Sequence, residues 1–294
     1  VATKVHVAAQ KAKNRDLLAK AAEAYTAYLE VFDENTKNRG DVELNYAEAL
    51  YGSRQYLEAG RTYERIARGA EKPSSKLIHD ALTSYQKVAT NVDADPFMKL
   101  QAYEGIKTLG TFYLREDPKA KDAPEVAFLV ARSYFDQGLY DDAVKQMAEY
   151  IKLFPGHANS YKAALIALDA YARREDFDGL IRAGKNLMQD ERLPDPKFRA
   201  QVSKMVDGAE SRRIDDVIAV ASSGAEAEAK LKALATSGKA SGTVAEKALF
   251  NLYVQARDRR DIEGAFTHGE AFIKANPKHA NVAAITGELA KFSI

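Results

Sequence analysis

The chain contains no cysteine. That absence removes disulfides, thiolate metal sites and cysteine nucleophiles together. A charge excess is also lacking: 43 lysines and arginines face 42 aspartates and glutamates, for a formal net charge of +1. Nucleic-acid binders usually carry a basic domain or stripe. The densest basic spots here, Arg212-Arg213 and Arg257 to Arg260, are flanked by Asp215, Asp216, Asp258 and Asp261. They read as solvated helix surface, and no nucleic-acid partner is expected. Long apolar runs are missing too. The longest, such as Val217 to Ala221, fall far short of the roughly 20 residues of a membrane helix. The opening VATKVHVAAQKAKNRD is amphipathic and lacks the hydrophobic region of a secretory leader. Without an initial methionine, a processed form or a fragment is expected. Strand-like alternation is absent from every segment.

What is present is helical periodicity in an apolar content of 46% over 294 residues. That length suits one or two ordinary domains or one repeat array. The clearest unit runs from Glu125 to Pro155. Ala127, Val130, Ala131 and Tyr134 fall at i, i+3, i+4 and i+7, one buried helix face. Gly138 breaks that helix, since glycine takes the left-handed backbone a C-terminus needs. Tyr140, Ala143, Val144, Met147, Ile151 and Phe154 form a second stripe, which Pro155 stops. Two stripes in so small a unit need neighbours to cover them.

The same plan recurs. Val5, Ala8, Ala9 and Ala12 precede a second helix through Tyr25 and Phe32. Leu44, Ala47 and Leu50 precede Tyr56, Ala59, Tyr63 and Ile66 after a turn near Arg54. Lys72-Pro73-Ser74-Ser75 punctuates the chain, with serine available to cap the next helix. A less regular pair follows, its long second helix striped by Phe97, Leu100, Tyr103, Ile106, Leu109 and Tyr113. After Phe198 the pattern weakens, and Ser222-Ser223-Gly224 and Thr236 to Thr243 read as flexible joints. Regularity returns at Val244, and a last helix, Val282 to Phe292, is expected to cap the array.

The spacing of Ala131, Tyr134, Gly138, Tyr140, Ala143 and Pro155 resembles the tetratricopeptide (TPR) family. Equivalent sets are Ala47, Leu50, Tyr56 and Ala59, and Tyr253, Ala256, Ile262, Ala265 and Pro277. In such repeats small residues let helix backbones approach, and large ones fill the gap between pairs. The resemblance covers most of residues 1–290 and is weakest at 74–122 and 197–243. Departures are the missing tryptophan of the first helix and Leu180 in an alanine position. The fold implied is all-α, a TPR-like right-handed superhelical solenoid of antiparallel helix pairs. Its expected divisions are an array over 1–207, an irregular helical joint over 208–243, and a last repeat with capping helix over 244–294. A second, narrower resemblance rests on the P-x-H-A-N core shared by Pro155 to Asn159 and Pro277 to Asn281. It is similar to TPR proteins of bacterial envelopes, of the outer-membrane-assembly and Tol-Pal-associated types. The bland reading of that junction is that proline stops one helix and Asn159 or Asn281 caps the next.

Catalytic patterns fail one by one. The five histidines, His6, His79, His157, His268 and His279, show no zinc spacing. Asp141-Asp142 and Asp215-Asp216 fit acids at helix starts, where the dipole favours them. Gly238-Lys239 lacks the phosphate-loop context, with Ala233 in place of glycine and Ala240 in place of Ser/Thr. No enzyme activity, metal or cofactor is expected.

A TPR-like array binds partners on its concave face, lined by first-helix residues outside the packing positions. The resemblance places there Leu44, Glu48 and Tyr51; Phe128, Arg132 and Phe135; Leu165, Asp169 and Arg173; and Phe250 with Arg257. Apolar and aromatic groups beside both charge signs suit a protein or peptide partner. The lysine–asparagine carboxylate clamp of chaperone adaptors is missing at Leu44/Glu48, Phe128/Arg132, Leu165/Asp169 and Phe250/Val254. The expected function is a non-catalytic scaffold in a bacterial cell-envelope assembly, periplasmic or outer-membrane-associated, within a larger complex. The alternative is a cytosolic regulatory or sensor module switched by a peptide.

Overall fold

A computed structural model describes residues 2–292 except 33–35, 37, 72–73, 221–223 and 237–241, and omits the side chains of 215–220, 224–227 and 242–243. Among the described residues there are fifteen helices and no strand. The chain is all-helical, as its periodicity requires. It divides into two compact units, Val1–Ile166 and Ala167–Ile294.

In the first unit, α1 (Ala2–Ala12) pairs with α2 (Arg15–Val31), α3 (Arg39–Gly52) with α4 (Tyr56–Gly69), α5 (Ser75–Ala89) with α6 (Pro96–Glu116), and α7 (Ala123–Asp136) with α8 (Tyr140–Leu153). The division falls inside α9 (Ala158–Arg173). The second unit holds α10 (Phe177–Gln189), α11 (Pro196–Val220), α12 (Gly224–Thr236), α13 (Gly242–Asp258), α14 (Ile262–Ala275) and α15 (Val282–Phe292). The boundary expected at 207/208 lies within α11, whose helical backbone continues through it. Asp215 and Asp216 accordingly sit in a helix interior, not at a helix start. Asp141 and Asp142 do occupy the first turn of α8. The joints expected around Ser222-Ser223 and at 237–241, and the Gly238-Lys239 pair, lie outside the described residues.

The turns inside the pairs share one backbone solution. Lys13, Arg54, Gly138, Glu175 and Arg260 all take positive φ, between 49° and 76°. At each, the next residue donates its N–H five residues back: Asn14 to Ala9, Gln55 to Leu50, Leu139 to Tyr134, Asp176 to Tyr171 and Asp261 to Ala256, at 2.9–3.0 Å. The left-handed residue itself donates three residues back, as Gly138 does to Phe135 at 2.9 Å. This is the Schellman termination of a helix. Its last residue serves at once as N-cap of the second helix. Asn14, Asp176 and Asp261 accept from Leu17, Gly179 and Gly264 N–H through their side chains. One bridging residue thus closes the first helix and opens its partner, which fixes the hairpin.

The pair α5–α6 departs from this plan. Asn91 forms a side-chain turn with the N–H of Asp93 (3.1 Å), and Asp95 caps α6 through the N–H groups of Phe97 and Met98. The buried face of α6 is Ala102, Gly105, Ile106, Leu109, Gly110 and Tyr113. Phe97 and Leu100, expected in its stripe, are 66% and 48% exposed, so the first turns of α6 lie outside the buried face. Tyr85 of α5 explains the glycines. A β-carbon at Gly60 would lie 2.7 Å from one edge of its ring, and one at Gly105 2.5 Å from the other. Two glycines therefore clasp the ring while its hydroxyl donates to Glu64 at 2.6 Å. Burial and that carboxylate push the Tyr85 hydroxyl well above the ordinary tyrosine range.

Other expectations shift by a residue or a role. In α1 the buried face is Ala2, Val5, His6 and Ala9, with Ala8 and Ala12 exposed. That set keeps the i, i+3, i+4, i+7 spacing but admits an imidazole, which meets the Tyr25 hydroxyl at 3.3 Å. Ser74 precedes α5 without a side-chain cap bond. Ile262 is 52% exposed, so it does not fill a gap between pairs. Ala131, Ala143, Ala47, Ala59, Ala256 and Ala265 are buried as the repeat pattern implies. In the second unit, Tyr253, Ala256, Ala265 and Phe272 form a core that Ile285 and Leu289 of α15 close. Leu180 is buried in its alanine position.

At both P-x-H-A-N junctions the side chain that accepts a backbone N–H is histidine's, although Asn281 does hold the residue position before α15. His157 Nδ1 accepts the Asn159 N–H at 3.2 Å and lies 2.8 Å from the Tyr150 hydroxyl, while Nε2 is 3.3 Å from Glu125 on α7. His279 repeats the arrangement: Nδ1 accepts the Asn281 N–H at 3.1 Å, and Nε2 is 3.4 Å from Glu246 on α13. An accepting Nδ1 puts the proton of the neutral ring on Nε2, where it donates to the carboxylate. Each junction is thereby tied back to the first helix of the preceding pair.

Candidate functional site

The α7 face drawn from the sequence is where the first unit has its clefts. Phe128, Arg132 and Phe135 stand one turn apart, as 3.6-residue periodicity requires. With Asp136 and with Lys162, Leu165 and Ile166 of α9 they line a cavity of about 330 Å³. Phe128 and Arg132 also border a cleft of about 220 Å³ facing His79, Leu82, Thr83 and Gln86 of α5. A third hollow, against Gln86, Thr90 and Tyr103, again includes Arg132 and Asp136. At the opposite end, Ser75, Lys76 and Asp80 face Lys121, Asp122 and Glu125 across a wider opening. Together these form a groove along the first helices α5, α7 and the start of α9.

Its walls are held from behind. Phe128 packs edge-on against Tyr150 with ring centroids 5.6 Å apart, and Phe135 lies 5.6 Å from Tyr140. Both phenylalanines are half-buried, so the rings are set by second-helix tyrosines before any ligand arrives. Arg132 is exposed and meets Asp136 through Nε at 3.3 Å. The acids at the far end are engaged. Asp122 accepts from the Tyr113 hydroxyl at 2.6 Å, and Glu125 holds His157. Tyr113 is pushed up by its burial and by Asp122.

The other expected groove residues are placed differently. Leu44 and Tyr51 pack half-buried against the first unit's core, with Tyr51 edge-on to Tyr56 at 5.2 Å. Glu48 takes a long hydrogen bond from Gln10 at 3.5 Å. In the second unit Asp169 and Arg173 pair with each other at 3.5 Å. Phe250 is set against Phe272 with centroids 5.6 Å apart. Arg257 is held by Asp258 at 2.9 Å and Glu288 at 3.5 Å beside the Tyr253 ring, which makes it a strut between α13 and α15. The α5 wall, His79, Leu82, Thr83 and Gln86, was not expected. Its pair lacks the glycine turn that marks a repeat, but Ile78, Ala81, Leu82 and Tyr85 do carry the buried stripe that fixes which face is left outward.

Among the described residues no group of His, Asp and Glu is arranged to hold a metal ion, and no helix is long and apolar enough to cross a membrane. Geometry and sequence define a helical-pair protein with a groove on its first helices. Neither a protein-family model nor a curated protein matches the chain. Among solved structures, the human IFIT1 dimer with m7Gppp-AAAA is similar over 92% of this chain and 58% of its own, at 13% identity and a TM-score of 0.30. So distant a likeness says nothing about what the groove binds.

Proposed function

We propose that the chain is a non-catalytic TPR-type scaffold whose groove on α5, α7 and α9 binds a protein or peptide partner in a bacterial cell-envelope assembly. The observation that carries the binding role is the continuity of the clefts around Phe128 and Arg132, with aromatic walls already fixed by packing. Rigid aromatic anchors and an arginine are the side chains that dominate protein recognition. The envelope setting is supported by the P-x-H-A-N junctions and by the absence of cysteine. The chain is accordingly read as working in the periplasm or at the outer membrane, within a multi-protein complex and without a cofactor.

A photo-crosslinking residue at position 135, introduced in the source cells, tests this directly. It should give a discrete adduct with an envelope protein, abolished by Arg132→Glu and absent when the crosslinker replaces exposed Lys145 on α8. No adduct from 135, or the same adduct from 145, would refute the groove. A specific adduct with a cytosolic protein would move the chain to a regulatory role.

A further inference from the structure

We infer that the groove is built for an acidic segment, one that seats an aliphatic or aromatic side chain between Phe128 and Leu165 and lays an adjacent aspartate or glutamate on Arg132. This rests on the groove being the binding surface.

Arg132 is the residue common to the three adjoining clefts, so a ligand following any of them passes its guanidinium. Asp136 meets that guanidinium only at Nε; among the described residues nothing else pairs with it. The edge formed by the two terminal nitrogens is therefore open, and that edge is the fork which takes a carboxylate bidentately. Across the cavity Lys162 is exposed and has no carboxylate within 4 Å among the described residues. Two cations thus face one carboxylate, Asp136, around an otherwise apolar cavity in a chain that is nearly neutral as a whole. The far end of the groove balances the other way. Lys76 and Lys121 stand against Asp80, Asp122 and Glu125, and the last two are already bonded to Tyr113 and His157. The free electrostatic demand lies at the Arg132 end, and it is for an anion.

The surroundings select what carries the anion. Phe128, Phe135, Leu165 and Ile166 surround the cationic pair with apolar surface and lower the local dielectric. A bare ion gains nothing from those walls, whereas an acidic residue next to a large apolar one uses both. A nucleic-acid phosphate would fit the guanidinium, but the acids at the far end would repel the next phosphates along the strand.

A random dodecapeptide library displayed on phage, panned on the full chain, tests the inference. Selected clones, resynthesised and measured by fluorescence polarisation, should carry Asp or Glu within two residues of Leu, Phe or Tyr. Replacing that acid by its amide should weaken binding at least tenfold, as should Arg132→Glu, with Arg132→Lys losing less. Panning on Arg132→Glu protein should exchange the acidic preference for a basic one. Circular dichroism should be unchanged in Arg132→Glu, because the side chain is exposed. Clones that are lost in Phe135→Ala or Leu165→Ser protein, yet tolerate Arg132→Glu and the amide replacement, would keep the groove and overturn its acidic preference. Clones indifferent to all of these variants, or no clones, would overturn the groove reading as well. Tighter, Arg132-dependent binding of a 15-nucleotide oligouridine than of any selected peptide would overturn the inference in favour of RNA.

Discussion

The left-handed turns give the sharpest stability prediction. A non-glycine residue in that backbone region costs about 1–2 kcal/mol, whereas glycine enters it without a β-carbon clash. Against this, glycine adds about 0.5–1 kcal/mol of entropy to the unfolded chain. Replacing Arg54 (φ 67°) or Arg260 (φ 59°) by glycine should therefore stabilise the respective unit by about 0.5–1 kcal/mol each. Both arginines are exposed, and no side-chain bond of either is described, so the backbone term stands nearly alone. Gly138→Ala should do the reverse, by a similar amount. A β-carbon there would meet only the Tyr140 ring, at 3.9 Å, so the cost is conformational and not a clash. Urea denaturation followed by circular dichroism reads the result as a shift in midpoint at constant slope. Destabilisation by Arg54→Gly and Arg260→Gly, with Gly138→Ala neutral, would show that the shared turn geometry does not set hairpin stability.

Three further outcomes are expected. Gly105→Ala drives a methyl into Tyr85, which Gly60 blocks from retreating; overpacking of about 1–3 kcal/mol should outweigh the helix-propensity gain of about 1 kcal/mol, and Tyr85→Leu should relieve it in a double-mutant cycle. Deleting the imidazole cap with His157→Ala should cost about 1 kcal/mol, while His157→Gln, able to accept the same N–H, should recover part of it. His6 and His268 both titrate below the ordinary histidine value, His6 through burial and His268 through burial first and then Lys232. The unfolded chain therefore binds protons first as pH falls below about 6.5, so stability should drop from there until the folded-state values are passed. His6→Gln and His268→Gln should each flatten that slope in melting temperatures recorded from pH 7.5 to 5; an unchanged slope in both variants would place the acid sensitivity elsewhere.

Helix existence was legible because burial imposes periodicity on every helix, and Ala131, Ala143, Ala47 and Ala59 mark close approaches that only small side chains permit. The turn chemistry was mostly illegible. Of five residues with the same left-handed backbone only Gly138 advertises it; Lys13, Arg54, Glu175 and Arg260 are held there by paired helices, at a local cost that sequence preference cannot reveal. The α1 face takes in His6 and leaves Ala8 and Ala12 exposed, the imidazole meeting the Tyr25 hydroxyl inside. Phe97 and Leu100 continue the stripe of α6 in sequence but are exposed in the structure. Periodicity says which way a residue faces, not whether anything stands opposite.

The same distinction explains the groove. Phe128, Arg132, Phe135 and Leu165 were legible because an outward face is what remains once the buried stripe is assigned. Leu44, Tyr51, Phe250 and Arg257 satisfy the same rule yet are occupied by Tyr56, Phe272 and Glu288 or by core contact, since facing outward from one helix can mean facing a neighbour. What marks the α7 set is the run of clefts that its residues border. Tyr140 and Tyr150 back the α7 phenylalanines from the second helix, and Phe128 and Phe135 line the cavity beside Leu165. The backing itself is the same in both units, since Phe250 lies against the buried Phe272 as Phe128 lies against the buried Tyr150; what marks Phe128 is the pair of open clefts it borders. By that criterion binding should respond to Phe128, Phe135 and Arg132 and be insensitive to Arg257, whose loss should instead lower stability through Glu288.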